Sequence, residues 1–290
     1  MIHPSPETLN VFSLLALLAI GCFGGFLAGL LGVGGGIIFI PVIGYFLADY
    51  TLNSDELVRY TLANSIALVF LSGVSATFQQ RKMGTWNLKL LLQIGIPGAL
   101  ASWATTRLIQ EGTWYNKTQF LSIFLGMILL SFINMVLGKP KSPPQIPNKQ
   151  SSIPKTDSIT QKIVQAMVGL LAGVLVALSG LGGGIVMVPL FNGLLKKPLH
   201  TATALSLSIV PLLSISSLIH YLSNKPIQAL TQYQSGYLVW PILLPMMLGV
   251  VFCSSLGQKK AKLVPERWLR LIFATLLLCI FIQILLEINS

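Results

Sequence analysis

The sequence predicts an all-α integral membrane protein built from two inverted repeats, each a glycine-broken hairpin segment followed by three transmembrane helices. Three observations carry that prediction. The 290 residues are 53% hydrophobic and only 9% charged, with a mean hydropathy of +0.77, whereas a soluble domain carries roughly 25% charged residues. The stretch Gly32 to Pro41 (Gly-Val-Gly-Gly-Gly-Ile-Ile-Phe-Ile-Pro) returns at Gly180 to Pro189 as Gly-Leu-Gly-Gly-Gly-Ile-Val-Met-Val-Pro, with six of ten residues identical. Finally, the lysines and arginines gather on one side of a membrane only when the two copies are inverted.

The first repeat covers 1–138. Residues 11–48 form a long apolar run interrupted at Gly34, Gly35 and Gly36, because consecutive glycines carry a large entropic cost and break a helix. An acidic loop, Asp49 to Glu56, comes next. Apolar runs near 58–79, 88–106 and 118–138 follow, each about the ~20 residues a helix needs to cross the hydrocarbon. Residues 139–160 hold five prolines among lysines and serines with no apolar period, which reads as a flexible linker and not a domain.

The second repeat, 161–290, runs 162–195 with a break at Gly182, Gly183 and Gly184, then 202–222, 236–256 and 268–287. The duplication extends past the glycines, since Ala63-Asn64-Ser65-Ile66 corresponds to Ala204-Leu205-Ser206-Leu207. Trp86, Trp114, Trp240 and Trp268, with Tyr50, Tyr60, Tyr115, Tyr221 and Tyr233, lie at run ends as an interfacial aromatic belt would. The N-terminus has no Lys or Arg before its apolar run and no small-residue cleavage pattern, so no removable signal peptide is expected.

Orientation follows from charge. If each broken run crosses once, the repeats are parallel and the basic residues divide 9 inside to 10 outside. If each run turns back, the repeats are inverted and the division becomes 15 inside against Arg59, Arg107, Lys117 and Lys225 outside. Cytoplasmic loops carry an excess of Lys and Arg, so the inverted arrangement is expected. It puts the linker in the cytoplasm and both termini on the outer side of a plasma membrane crossed many times. Gly36 to Ala48 is 13 residues and Gly184 to Leu195 is 12, or ~18–20 Å of helix, too short to span a ~30 Å core alone. Each reads as a half-helix starting at the glycines, either re-entrant to half depth or part of a full-depth hairpin.

Composition also excludes function classes. The net charge of +11 is spread over loops in the pattern of a membrane protein, not of a nucleic-acid binder. Cys22, Cys253 and Cys279 have no metal or redox spacing and read as small core residues. All eight acidic residues lie in or beside polar connections, so the spans are expected to lack the carboxylates that cation coordination or a proton relay needs. No phosphate-binding loop, zinc motif or nucleophile triad occurs. Neither an enzyme nor a metal or cofactor is expected.

What remains is an anion site. A helix that starts inside the membrane presents unpaired N–H groups and the positive end of its dipole. Consecutive glycine amides form a concave nest that an anion can approach closely. Gly34, Gly35 and Gly36 with Gly182, Gly183 and Gly184 are therefore the candidate substrate-binding residues, joined by Asn64, Ser65 and Ser206 as hydrogen-bond donors. Gln79 and His220, equivalent under the same repeat, are candidates for gating or carrying a proton. Gly25, Gly29, Gly32, Gly169 and Gly173 suit close helix packing instead. A serine in a membrane helix commonly bonds its own backbone.

At these motifs the chain resembles the sulfite exporter TauE/SafE family, the TSUP permeases. The resemblance rests on the paired elements Gly32 to Pro41 with Ala63 to Ser65, and Gly180 to Pro189 with Ala204 to Ser206, and it covers nearly everything except the linker. It implies a permease of a small inorganic or organic sulfur anion, sulfite or an organosulfonate, working by alternating access around a midplane site. Ala204-Leu205-Ser206 and Asn64 depart from the family's usual pattern, so the resemblance implies the transport class and not a particular anion. A channel-like anion conductor and a non-transporting membrane protein that recruits a partner through the linker are the competing readings.

Overall fold

The computed structural model describes residues 10–48, 53–82, 88–112, 114–137, 159–193, 199–261 and 263–289. It is nearly all helical: α1 Val11–Leu31, α2 Gly36–Leu47, α3 Ser54–Lys82, α4 Leu88–Glu111, α5 Lys117–Leu137, α6 Ile159–Ser179, α7 Gly184–Gly193, α8 Leu199–Ser223, α9 Trp240–Ala261 and α10 Glu266–Asn289. Among the described residues six helices are long and apolar enough to cross a membrane, namely α1, α3, α8, α9 and the greater parts of α6 and α10. The linker expected at 139–160 falls almost wholly outside the described residues.

The two glycine breaks have one geometry. Gly32, Gly34 and Gly35 take φ of 78°, 83° and 84°, and Gly180, Gly182 and Gly183 take 65°, 80° and 69°. Only glycine enters this left-handed region without strain, so the same three offsets end α1 and α6 and start α2 and α7. At the first break the chain doubles back: the Phe39 ring on α2 lies against Gly24 on α1. A chain that continued onward would put those residues ~20 Å or more apart at 1.5 Å per residue.

Packing interleaves the halves. On α1, Gly21, Gly25 and Gly29 face the backbone of Met246, Val250 and Ser254 on α9, in parallel register. A Cβ at Gly25 would stand 2.7 Å from the Val250 Cα, so the two helices meet backbone to backbone. In the same way Gly169 and Gly173 on α6 face Ile94 and Gly98 on α4. The first helix of each half is thus zipped to the third long helix of the other half.

Helix α3 packs on α9, α8 packs on α4, and α3 and α8 meet in the middle. Gly73 touches Pro211 while Gln80 bonds the Ala204 carbonyl, so α3 and α8 run antiparallel. Helix α2 rests on α3, α7 on α8, and α5 on α10.

Two sequence expectations are corrected. Residues 234–239 form a small antiparallel hairpin, Gln234–Ser235 (β1) with Leu238–Val239 (β2), ahead of α9, so an expected apolar span opens in a strand. In addition, Tyr60, Tyr115 and Tyr221 are not a lipid-facing belt, since they are 0%, 2% and 0% exposed. Tyr60 and Tyr221 pack with Tyr237 of the hairpin, 5.1 and 5.9 Å from its ring centroid, and the Tyr115 hydroxyl donates to the Leu178 oxygen. Trp114, Trp268 and Tyr233 do lie exposed, and Tyr50 and Trp86 fall outside the described residues.

Candidate functional site

The two glycine turns touch each other, and the contact is reciprocal. A Cβ on Gly36 would stand 2.6 Å from both the Gly180 oxygen and the Leu181 Cα. One on Gly184 would stand 2.5 Å from the Gly32 oxygen and 2.7 Å from the Val33 carbonyl carbon. These are equivalent positions in the two repeats, so each turn docks on the other as its copy does. Gly36 and Gly184 are glycine because another backbone occupies the space a side chain would need.

Each turn also presents a helix N-terminus. The first intrahelical donors are Ile38 and Phe39, both to the Gly35 oxygen at 2.9 and 3.1 Å, and Met187 to the Gly183 oxygen at 2.8 Å. Ahead of them, the amides of Gly34, Gly35, Gly36 and Ile37, and of Gly182, Gly183, Gly184 and Ile185, donate to no acceptor among the described residues. With the positive ends of two helix dipoles meeting here, the crossing offers donors without carrying a full charge. Some carbonyls are already tied down, as Ser72 bonds the Gly34 oxygen at 2.8 Å and Ser131 the Ile185 oxygen at 2.8 Å.

The two equivalent serines differ. The Ser65 hydroxyl on α3 donates to the Gly180 oxygen at 2.9 Å. Its counterpart Ser206 on α8 is fully buried, and its hydroxyl has no hydrogen-bond partner among the described residues. The surrounding contacts are nonetheless paired: Gly180 lies against Leu62, and Gly32 lies against Thr203, the residue equivalent to Leu62. Ser206 is one helical turn beyond Thr203, as Ser65 is one turn beyond Leu62. A buried hydroxyl without a partner is uncommon and calls for an explanation.

The other candidates are placed elsewhere. The Asn64 side chain is used up by the hairpin, donating to Tyr60 O at 2.7 Å and Tyr237 O at 3.0 Å and accepting from Val239 N at 3.0 Å. It positions β2 against α3 and has no donor left for an anion. Gln79 and His220 each lie 14 residues along their helix from the serines, ~21 Å away at 1.5 Å per residue. Gln80, next to Gln79, is the buried one; it donates to Ala204 O and accepts from Ser208 at 2.5 Å, tying α3 to α8.

Sequence reasoning missed Gln80, and it also missed Gln258. The latter is 4% exposed on α9 beside Gly29, with neither amide atom partnered. It reads in the sequence as part of a basic loop, being followed by Lys259 and Lys260.

The expectation that no carboxylate enters a span is also corrected. Glu56 lies in the first turn of α3 and is only 4% exposed, accepting from the Tyr237 hydroxyl at 3.2 Å. Burial pushes the Tyr237 phenol above its ordinary value, so it stays a donor at neutral pH. Among the described residues no carboxylate, imidazole or amine appears in the contacts of the two glycine turns. Among the described residues no three His, Cys, Asp or Glu side chains are grouped to hold a metal.

Comparison with known proteins agrees with this architecture. Relatives include a probable membrane transporter protein of Methanocaldococcus jannaschii, 28% identical over 262 residues, covering 90% of this chain and 91% of the relative. Another from Haemophilus influenzae is 26% identical over 291 residues, covering 95% and 99%. A third, YunE of Bacillus subtilis, is 24% identical over 283 residues, covering 95% and 98%. No solved structure matches the chain. The sulfite exporter TauE/SafE family model matches residues 17–284, both glycine turns included. The chain therefore belongs to the sulfite exporter TauE/SafE family, a family of membrane transporters and not of enzymes.

Proposed function

We propose that this membrane transporter is a secondary permease of a small oxyanion, sulfite or an organosulfonate, and that the anion is held at the glycine crossing. The observation that carries the reading is Ser206, a fully buried hydroxyl without a partner among the described residues, one helical turn from the Thr203 that lies against Gly32. Amide and hydroxyl donors with no protein acceptor suit an acceptor-only ligand, and the helix dipoles favour its negative charge.

The repeats are read as inverted, which the antiparallel run of the equivalent helices α3 and α8 and the reversal at the first break support. On that reading, and with the charge count, the linker is cytoplasmic and both termini lie outside the plasma membrane. Whole repeats cannot rock apart, because α1 is zipped to α9 and α4 to α6. The moving bodies are α1, α3 and α9 on one side and α4, α6 and α8 on the other, sliding along the α3–α8 interface.

The serine asymmetry supplies the two states. In one, Ser65 holds Gly180 and Ser206 is free for the anion; in the other, Ser206 holds Gly32 and Ser65 is free. Direct contact between the turns favours this gated scheme over an open anion channel.

The test is uptake of labelled sulfite and of a sulfonate into vesicles holding purified protein, with Ser206→Ala beside the native chain. Native protein should show saturable counterflow, and Ser206→Ala should lose at least tenfold in flux with no fall in melting temperature. Flux at the native rate in folded Ser206→Ala refutes the site. Flux without counterflow refutes alternating access in favour of a pore.

A further inference from the structure

A second feature lies away from the crossing, on the exposed apolar surface of the helices. A cleft of about 260 Å³ is cut between the C-terminal end of α3 and the N-terminal end of α4, with α8 as its floor. Its walls include Val74, Phe78, Leu91, Pro211 and Leu212, and Arg81 stands at its edge.

The cleft opens outward. Leu212 lies on the strip of α8 that continues through the exposed Ile215 and Ile219, at 40% and 56%. Phe78 is 63% exposed, and α4 shows Leu88 and Leu92 on the same side. Of the two hydroxyls at the wall, Thr77 already bonds Gly73 O and Ser208 bonds Gln80. Apart from Arg81, the lining therefore offers water almost nothing to bond. An apolar cavity of ~150 Å³ already stays dry and takes up hydrocarbon, and this one is larger and opens among exposed apolar side chains.

Charge selects among lipids. The exposed Lys82 adjoins Arg81, Lys89 opens α4 nearby, and no Asp or Glu occurs between Glu56 and Glu111. Arginine pairs with a phosphate through two parallel hydrogen bonds, and basic pockets between membrane helices at the leaflet surface recruit anionic headgroups. We infer that the cleft is a binding site for an anionic phospholipid, with one acyl chain between α3 and α4 and the phosphate at Arg81. This site is independent of the anion that the transporter carries.

The test is native mass spectrometry of the purified protein from micelles doped equally with phosphatidylglycerol and phosphatidylcholine. Native protein should retain phosphatidylglycerol in excess. Arg81→Gln should cut that excess about fivefold, the worth of one basic residue at a membrane surface. Leu212→Trp, which fills the cleft and leaves Arg81 in place, should abolish retention of the bound lipid. Arg107→Gln, in an exposed ion pair at the far end of α4, should change nothing.

Each variant is first shown to melt as the native protein does. An unchanged excess in both cleft variants overturns the proposal. So does an excess lost in Arg81→Gln but kept in Leu212→Trp, which is surface attraction without a chain site. Displacement of the lipid by millimolar inorganic phosphate overturns it as well, since the charge alone is then being read.

Discussion

Replacing Ser65 and Ser206 by alanine, one at a time, should move the stability of this protein in opposite directions. The Ser65 bond to the Gly180 oxygen is 2.9 Å long and fully buried. Its loss removes ~1 kcal/mol and leaves a carbonyl without that partner, adding about 1 more. The Ser206 hydroxyl is buried without a partner, and its removal recovers ~1 kcal/mol of desolvation.

At about 2–4 °C per kcal/mol for a chain of this size, Ser65→Ala should melt ~4–8 °C lower and Ser206→Ala ~2–4 °C higher. The ~3 kcal/mol between the variants is also a bias of about 100-fold between the two serine states. The assay is thermal unfolding in detergent followed by tryptophan fluorescence, without and with sulfite. Equal melting shifts of the same sign would show that the two hydroxyls are equivalent and would refute the exchange scheme. Stabilisation by sulfite should vanish in Ser206→Ala.

Three further outcomes are expected. Gly25→Leu places a branched side chain where a Cβ alone would stand 2.7 Å from the Val250 Cα. It should cost well over ~3 kcal/mol, beyond ordinary overpacking, and size-exclusion chromatography should find little folded protein. Asn64→Leu removes three buried hydrogen bonds to Tyr60, Tyr237 and Val239, ~3 kcal/mol in all, and should raise hydrogen exchange at 234–239 before anywhere else. Burial raises the phenols of Tyr115 and Tyr237, so the stability they contribute is complete below the ordinary value near ~10 and is lost as pH climbs past it. Melting temperature should hold level from pH 7 to 9 and fall above 10, less steeply in Tyr237→Phe.

How legible this was in the sequence depends on the kind of contact. The glycine turns were readable because three glycines in an apolar run, repeated at the same offsets, state a local backbone requirement. The small-residue spacing of Gly25 and Gly29, or Gly169 and Gly173, announced close helix contacts. It could not name the partners, since α9 and α4 are chosen by the tertiary fold. Ser65 and Ser206 look alike in the sequence, and only the structure shows one hydroxyl bonded and the other free. Asn64 read as an anion donor because its partners lie on a hairpin about 175 residues away. Glu56 and the tyrosines near it looked like loop and interface residues, because the hairpin that buries them reads as part of an apolar span.

The zipping of each half's first helix to the other half bears on how the chain is made. Helix α1 leaves the ribosome before α9, which is finished about 230 residues later. At ~5–20 residues per second that is a wait of roughly 10–45 s. Over that interval Gly21, Gly25 and Gly29 have only lipid against them, and the bilayer holds α1 in place by its hydrophobicity alone. The first half cannot mature before the second is inserted. If the chain is cut in the linker, the two pieces should survive in a membrane only when they are made together.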